Sequence, residues 1–254
     1  HVMSHMVVGG WLLLAASACG GRSVDPPGSL PSRIVSCSPS LTEIAFAVGA
    51  GDLVVAVSDH CDFPASTRHL PRVGPFLAPR VEAILAARPD LVLLHDVQSD
   101  TERTLRRAGV RSLRIGVDRL ADVRAATLAV GRAVGRASEA ATLLARIDRD
   151  LAAVGHAPAR RVLLIVGRDP GTLRNLFAAG PGTYLDELVR RAGASNVLAD
   201  SATAYPRVST ETIVARAPDV IIEARGPGAD PVAARRDWAT LPAVPAVRDG
   251  RVHI

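Results

Sequence analysis

The chain has 254 residues, 48% of them apolar, which is enough for two compact lobes of roughly 100 residues each. Its net charge is +5 and it contains no lysine, so all of the formal positive charge is arginine. Those arginines are scattered among Asp and Glu, with no basic run interleaved with aromatics, which argues against nucleic-acid binding. Aromatics make up only 3%, so each Phe, Tyr and Trp carries weight as a possible ligand contact.

The stretch Met6 to Ala18 is apolar or small throughout, with Trp11-Leu12-Leu13-Leu14 at its centre. It is too short to span a bilayer and suits the apolar region of an export signal. Small residues then precede Cys19, as in a bacterial lipobox, so residues 1–19 are expected to be a signal peptide with Cys19 lipidated. An ordinary signal peptide cut near Ala18 is the alternative. Residues 20–31 are rich in Gly, Pro and Ser and read as a flexible tether. The expected location is therefore the periplasm or the outer face of the cytoplasmic membrane.

Residues 32–120 alternate strands and helices. Arg33–Cys37 is an apolar strand, Ser38-Pro39-Ser40 a turn with Ser40 as N-cap, and Leu41–Val48 a helix ended by Gly49. A strand at Leu53–Val57, a helix at Val81–Ala87 stopped by Pro89, and a strand at Leu91–Leu94 follow. A helix at Thr101–Ala108 and a strand at Ser112–Ile115 complete the unit. This alternation predicts an α/β lobe with a mostly parallel sheet. Cys37 falls in a strand and Cys61 in a loop, and geometry decides whether they pair.

Residues 121–157 differ. From Asp122 to Val154 there is no Pro, and apolar residues recur at near-helical spacing, which predicts one long linking helix of about 45 Å, with Gly131 and Gly135 weakening it and Gly135-Arg136-Ala137-Ser138 as the place for a kink or break. Residues 158–254 then resume the alternation. Strands are expected at Arg161–Val166, Val220–Glu223 and the chain end, with helices at Tyr184–Ala192 and Thr210–Ala217.

The two halves echo one another. The segment Glu82 to Val92 and the segment Glu211 to Ile221 share the pattern Glu-x-Ile-x-Ala-x-x-Pro-Asp followed by an apolar β-branched run. Upstream, Leu41-Thr42-Glu43-Ile44 runs to Gly49-Ala50 as Leu185-Asp186-Glu187-Leu188 runs to Gly193-Ala194. Two similar lobes enclose a cleft, and such clefts bind ligands. Nothing points to an enzyme: there is no Gly-x-Ser-x-Gly, phosphate loop or His-Glu-x-x-His, and Gly180-Pro181-Gly182 reads as a turn. The one competing arrangement is a metal site, for hydrolysis or metal capture, from His60-Cys61-Asp62 with His95-Asp96.

Several stretches together resemble the periplasmic or lipid-anchored substrate-binding proteins of ABC importers for cobalamin, haem and ferric siderophores, most of all the cobalamin branch. They are Arg33 to Glu43, Val57 to Pro64, the Glu82 segment, Leu185 to Leu188, Asn196 to Asp200 and Tyr205 to Ser209. The resemblance implies two Rossmann-like lobes joined by a single long backbone helix, acting as a monomer without catalysis or a resident cofactor. It implies ligand contacts from His60, Phe76, His95, Arg168 and Tyr205, with His60 or His95 as candidate axial ligands of a chelated metal. It implies that Glu82 and Glu211, one per lobe, dock onto arginines of a permease dimer. The same two positions also suit carboxylates favoured by a helix dipole. Finally, it implies a further loop and helix beyond Ile254, so the second lobe is expected to be truncated.

Overall fold

The structure is a computed structural model that describes residues 29–155, 159–226 and 230–254. The expected signal segment, Cys19 and most of the tether lie outside the described residues.

The N-terminal lobe contains strands β1 (Ile34–Ser36), β2 (Val54–Val57), β3 (Leu91–His95) and β4 (Ser112–Ile115), and helices α1 (Pro39–Ala47), α2 (Val81–Ala86) and α3 (Ser99–Arg107). The strands form a parallel sheet in the order β2-β1-β3-β4. Strand residues alternate between its two faces. Ile34, Leu91 and Leu93 pack with Leu41, Ile44 and Val48 of α1. Val35, Val92 and Leu94 pack on the other face with Ile84 of α2 and Leu105 of α3. Both faces are covered, so the inner strands β1 and β3 and the neighbouring β2 read as largely apolar runs, whereas the edge strand β4 carries Ser112 and Arg114.

The two cysteines fall in different core clusters, Cys37 with residues of α2 and α3 and Cys61 with residues of α1. Both are free and buried. Burial, and then the neighbouring Cys61 thiol, pushes the Cys37 thiol up to about 12, which makes it inert at physiological pH.

The single linking helix expected over 122–154 is instead two helices, α4 (Leu120–Ala133) and α5 (Ala137–Ala153). Gly135 takes a left-handed φ of 71°, and the Arg136 N–H donates back to the Gly131 carbonyl at 2.6 Å. A Cβ on Gly131 would stand 2.5 Å from that of Ala140, so glycine permits the close return. Arg124 of α4 pairs with Asp148 of α5, which makes the two an antiparallel hairpin against the first lobe. With 17 residues, α5 is about 26 Å long, well short of the length expected for an unbroken helix.

The C-terminal lobe is built on β5 (Arg161–Gly167), β6 (Leu176–Ala178), β7 (Ser195–Asn196), β8 (Arg207–Val208), β9 (Val220–Glu223) and β10 (Val252–His253). Its helices are α6 (Tyr184–Arg191), α7 (Thr210–Arg216), α8 (Pro231–Trp238) and α9 (Pro245–Arg248). The sheet runs β10-β9-β5-β6-β8, with β7 also on β5. Strands β10, β9, β5 and β7 are parallel, whereas β6 and β8 are antiparallel additions. The short strands β6, β7 and β8 and helices α8 and α9 carry no clear periodicity and were not expected from the sequence.

The sequence echo is a structural one. Arg88 and Ala217 both adopt left-handed backbone, with φ of 48° and 45°, immediately before Pro89 and Pro218. The Asp90 carboxylate then accepts from Ser32 N, Ser32 Oγ and Arg33 N at 2.8, 2.8 and 3.0 Å. Asp219 accepts from Arg161 N at 2.9 Å. Arg33 and Arg161 in turn bind the carbonyls at the helix ends, including Ala87 O at 2.7 Å and Ala217 O at 3.3 Å. The upstream echo matches as well. Gly49 and Gly193 are left-handed, and Ala50 N and Ala194 N close back onto Ala45 O and Val189 O. The expected N-cap of α1, Ser40, lies inside the helix; Ser38 is the N-cap and Pro39 its first residue.

Burial raises the Asp90 carboxyl, but the hydrogen bonds from Ser32 and Arg33 outweigh it and hold the group below its ordinary value. The folded value lies below the unfolded one, so the stabilisation is complete above the ordinary carboxylate range and is lost as pH falls through that range and on through the lower folded value. Asp90→Ala is therefore expected to lower stability by about 2 kcal/mol near pH 7. Urea unfolding at pH 7 and pH 3 checks this: the gap between wild type and variant narrows on acidification.

Candidate functional site

The C-terminal ends of the parallel strands in the first lobe face the second lobe, the edge at which open α/β sheets hold ligands. Between the lobes lies a cavity of about 1010 Å³. The first lobe contributes Ser38 and Ser40 at the start of α1, His60 and Phe76 from the loops after β2, His95 at the end of β3 and Val97 beyond it. The second contributes Pro181, Gly182 and Tyr184 at the start of α6, and Ala204 and Tyr205 from the β7–β8 loop. Residues 117–119 and Asp122, leading into α4, close one side.

The two helix starts are the repeat-related pair, α1 and α6, so each lobe points a positive helix end at the cavity. Thr183 caps α6 by accepting from Asp186 N at 3.1 Å. The lobes touch beside it, where Tyr184 N donates to Asp118 O at 2.6 Å. Gly180 N binds Ala204 O at 2.7 Å, which joins the two loops of the second lobe. A Cβ on Gly180 would stand 2.6 Å from Thr203 O, so this contact requires glycine.

The first-lobe wall is aromatic. The Phe76 and His95 rings meet edge to face, with centroids 5.3 Å apart and planes at 72°. His95 is almost fully buried, and its Nδ1 accepts from Val97 N at 3.4 Å. In the neutral ring Nε2 then carries the proton, which suits a hydrogen-bond donor better than a metal ligand. His60 is exposed on the same wall. Tyr205 is 40% exposed opposite. Burial raises the phenols of Tyr184 and Tyr205; Glu43 adds to the first, and Tyr184 and Asp118 to the second. Both therefore stay neutral donors.

Four of the five expected ligand contacts, His60, Phe76, His95 and Tyr205, thus line one cavity. Arg168 does not. Its side chain is 1% exposed, and its Nε donates to Glu223 Oε1 at 2.8 Å. Its Nη1 binds Asp237 Oδ2 and Thr172 O at 2.8 and 2.6 Å. Arg225 Nε and Trp238 Nε1 converge on the same Glu223 carboxylate, at 2.5 and 2.6 Å. Arg168 is thus placed in a buried ionic hub at the ends of β5 and β9 instead of on the cavity wall. Sequence reasoning missed this hub, because ion pairs 55 and 69 residues apart leave no local pattern. It also missed Tyr184 and residues 117–122, although the Thr183 cap and the Gly180-Pro181-Gly182 turn mark a helix start facing the cleft.

The competing metal arrangement is not assembled. Cys61 Sγ sits 3.0 Å from Ser58 Oγ and 3.2 Å from Thr42 Oγ1 in the buried α1 face, and Asp62 faces Arg72. Among the described residues no three His, Cys, Asp or Glu side chains gather closely enough to hold a metal ion. Glu82 and Glu211 are both exposed, each in the first turn of its helix. Hydrogen bonding to the Ser209 hydroxyl, and then to its own backbone, holds the Glu211 carboxyl below its ordinary value. Among the described residues no helix is long and apolar enough to cross a membrane.

Two α/β lobes around a large cleft, with aromatics and helix starts turned inward, define a bilobal solute-binding protein. The chain belongs to the periplasmic binding protein family, whose model matches residues 34–253. It is 32% identical over 205 residues to the vitamin B12-binding protein of Yersinia pestis (strain Pestoides F), covering 77% of this chain and 70% of that one. It is 29% identical over 226 residues to YvrC of Bacillus subtilis (strain 168), an uncharacterized ABC transporter substrate-binding lipoprotein, covering 84% and 70%. Among solved structures, a periplasmic heme-binding protein from Pseudomonas aeruginosa superposes with a TM-score of 0.75 at 28% identity, covering 88% and 83%. The vitamin B12-binding protein BtuF of Vibrio cholerae gives 0.68 at 25%, covering 88% and 87%.

Breaking the hub tests its weight. Glu223→Gln leaves the buried Arg168 with Asp237 alone and the part-buried Arg225 without its carboxylate, and is expected to cost about 3 kcal/mol. Chemical denaturation of the variant against wild type measures this, and a loss below about 1 kcal/mol would show that the hub is not an ionic core.

Proposed function

We propose that this protein is the substrate-binding component of an ABC importer that captures cobalamin between its lobes and delivers it to a membrane permease. The observation that carries the ligand is the size and charge of the cleft. About 1010 Å³ lies at the top of the range for small-molecule sites and suits a macrocyclic chelate. Its charged lining is Asp118, Asp122 and Arg119, one net negative charge that the two helix starts, at about half a charge each, offset. A near-neutral cleft with serine hydroxyls, tyrosines and an aromatic wall suits a ligand fringed with amides. Haem brings two carboxylates and would find, among the described residues of the lining, one arginine, Arg119.

Haem or a ferric siderophore is the second reading, favoured by the likeness to the Pseudomonas aeruginosa heme-binding protein. His60, exposed on the wall, is then the axial-ligand candidate ahead of His95. In both readings Phe76 and Tyr205 cover the flat faces of the ligand, with His60 and His95 supplying polar contacts. Glu82 and Glu211, exposed at matching places on the two lobes, dock onto the arginines of a two-fold permease. The protein works outside the cytoplasmic membrane as a lipid-anchored monomer tethered through Cys19, and binds without chemistry.

Calorimetric titration with cyanocobalamin, haemin and a ferric siderophore decides the ligand. Tight saturable binding of cyanocobalamin alone is expected, and Phe76→Ala or Tyr205→Ala should each weaken it about tenfold, the scale of one lost aromatic contact. Tight binding of haemin alone would replace cobalamin with the second reading. A Glu82→Ala/Glu211→Ala double variant is expected to keep ligand affinity and abolish stimulation of permease ATPase in nanodiscs. Unchanged stimulation would remove the docking assignment.

A further inference from the structure

Between the cleft wall and the first-lobe sheet lies a side chain that no sequence motif marks. Gln98, in the turn after β3, is 2% exposed. Its Oε1 accepts from His95 N at 2.8 Å, and its Nε2 donates to Cys37 O at 2.9 Å and to Phe76 O at 2.5 Å. These three partners are the end of β1, the loop after β2 and the end of β3. One step along the chain from Cys37 is Ser38, and Ser38, Phe76 and His95 all line the cavity. Both amide protons and one amide lone pair are therefore spent on three separate segments of one wall.

The β1–β3 ladder ends at Ser36 with Leu93, beyond which Cys37 N donates to Leu93 O at 2.9 Å; His95 is paired on its other side with Ile115 of β4, so Gln98 supplies its tie toward β1 and the Phe76 loop. The Phe76 segment belongs to no strand. It is anchored from below by Asp59 N on Gly74 O, and from the sheet by Gln98. The edge-to-face angle of Phe76 and His95 follows from where their two backbones are held, and both are held by this amide.

We infer that Gln98 is the positioning residue of the ligand site: one buried amide ties three loops so that Phe76 and His95 present a fixed wall to the ligand. It touches no ligand itself. Alanine substitution of the wall residues would reveal contacts, whereas Gln98 acts through them. The inference rests on the reading of this cleft as a chelate-binding site, and its test separates the two.

Gln98→Met keeps the volume and removes every hydrogen bond. It is expected to weaken cyanocobalamin binding at least tenfold, and to shift and broaden the His95 imidazole signals in NMR spectra of the ligand-free protein. In a Phe76→Ala/His95→Ala background the same substitution should change affinity less than twofold, because its route to the ligand has gone. An equal loss of affinity in both backgrounds, or unchanged His95 signals, would overturn the inference and leave Gln98 a structural residue. Gln98→Glu serves if the Met variant does not fold: it keeps the acceptor for His95 N and sets a carboxylate against the Phe76 carbonyl. That variant should hold the His95 signals near wild type, move those of Phe76 and weaken binding; unmoved Phe76 signals would overturn the inference. If wild type binds none of cyanocobalamin, haemin and a ferric siderophore, the ligand reading fails, and the spectra alone decide the role of Gln98.

Discussion

Each lobe depends on a carboxylate that closes a helix onto the first strand of its own sheet. Asp90 and Asp219 follow a proline and sit just beyond a residue forced into left-handed backbone. That backbone costs about 1 kcal/mol or more for a non-glycine residue. The charge-assisted hydrogen bonds to Arg33 N and Arg161 N exceed it. The same exchange fixes where α2 and α7 end, and so where Glu82 and Glu211 stand at their starts. The two acidic side chains occupy matching places because one helix-to-strand clamp, repeated in both lobes, puts them there.

The lobes diverge at the opposite end of their strands. The first closes its cleft edge with a neutral amide, the second with a carboxylate shared by two arginines and a tryptophan. A neutral hub can lie directly behind a ligand wall without imposing a field on it. An ionic hub needs depth: Glu223 and Arg168 are nearly inaccessible, and Trp238 is fully buried against them. Even so, Nη2 of Arg168 and of Arg225 finds no partner among the described residues. The wall that the second lobe shows to the cavity is accordingly built elsewhere, on the α6 start and the β7–β8 loop.

Most of the first lobe was legible in the sequence because its strands are buried on both faces and its helices stop at Gly or Pro. Gly49, Pro89 and Gly109 each mark a boundary that the structure keeps within about two residues. The internal repeat carried the two-lobe plan, because Glu-x-Ile-x-Ala-x-x-Pro-Asp encodes a whole helix–turn–strand unit with its clamp. The linker misled for a physical reason. Apolar residues on α4 and on α5 face the same core, so their spacing continues across the break, and only Gly131 and Gly135 record the hairpin. The cavity residues were legible where they stand at or just past the end of a strand, as His95 and His60 do. Arg168 also follows a strand, and its position alone could not reveal that Glu223, 55 residues on, would claim its charge.

The pairing of an aromatic first wall with a polar second wall bears on how such a cleft selects its ligand. A flat macrocycle gains most of its affinity from apolar faces, and discrimination comes from polar groups left paired or unpaired at its rim. Here the apolar surface is concentrated on Phe76, with Val97 beside it, and the rim is Ser38, Ser40, Tyr184, Tyr205 and the Asp118–Asp122 segment. A ligand edge rich in carboxylates would lie against Asp118 and Asp122 with one arginine to meet it. An edge of amides can both donate to those carboxylates and accept from the helix starts. The same rim is where the lobes touch, through Tyr184 N and Asp118 O. A ligand that pairs with this rim therefore bonds to both lobes at their point of contact, which couples its recognition to the position of one lobe on the other.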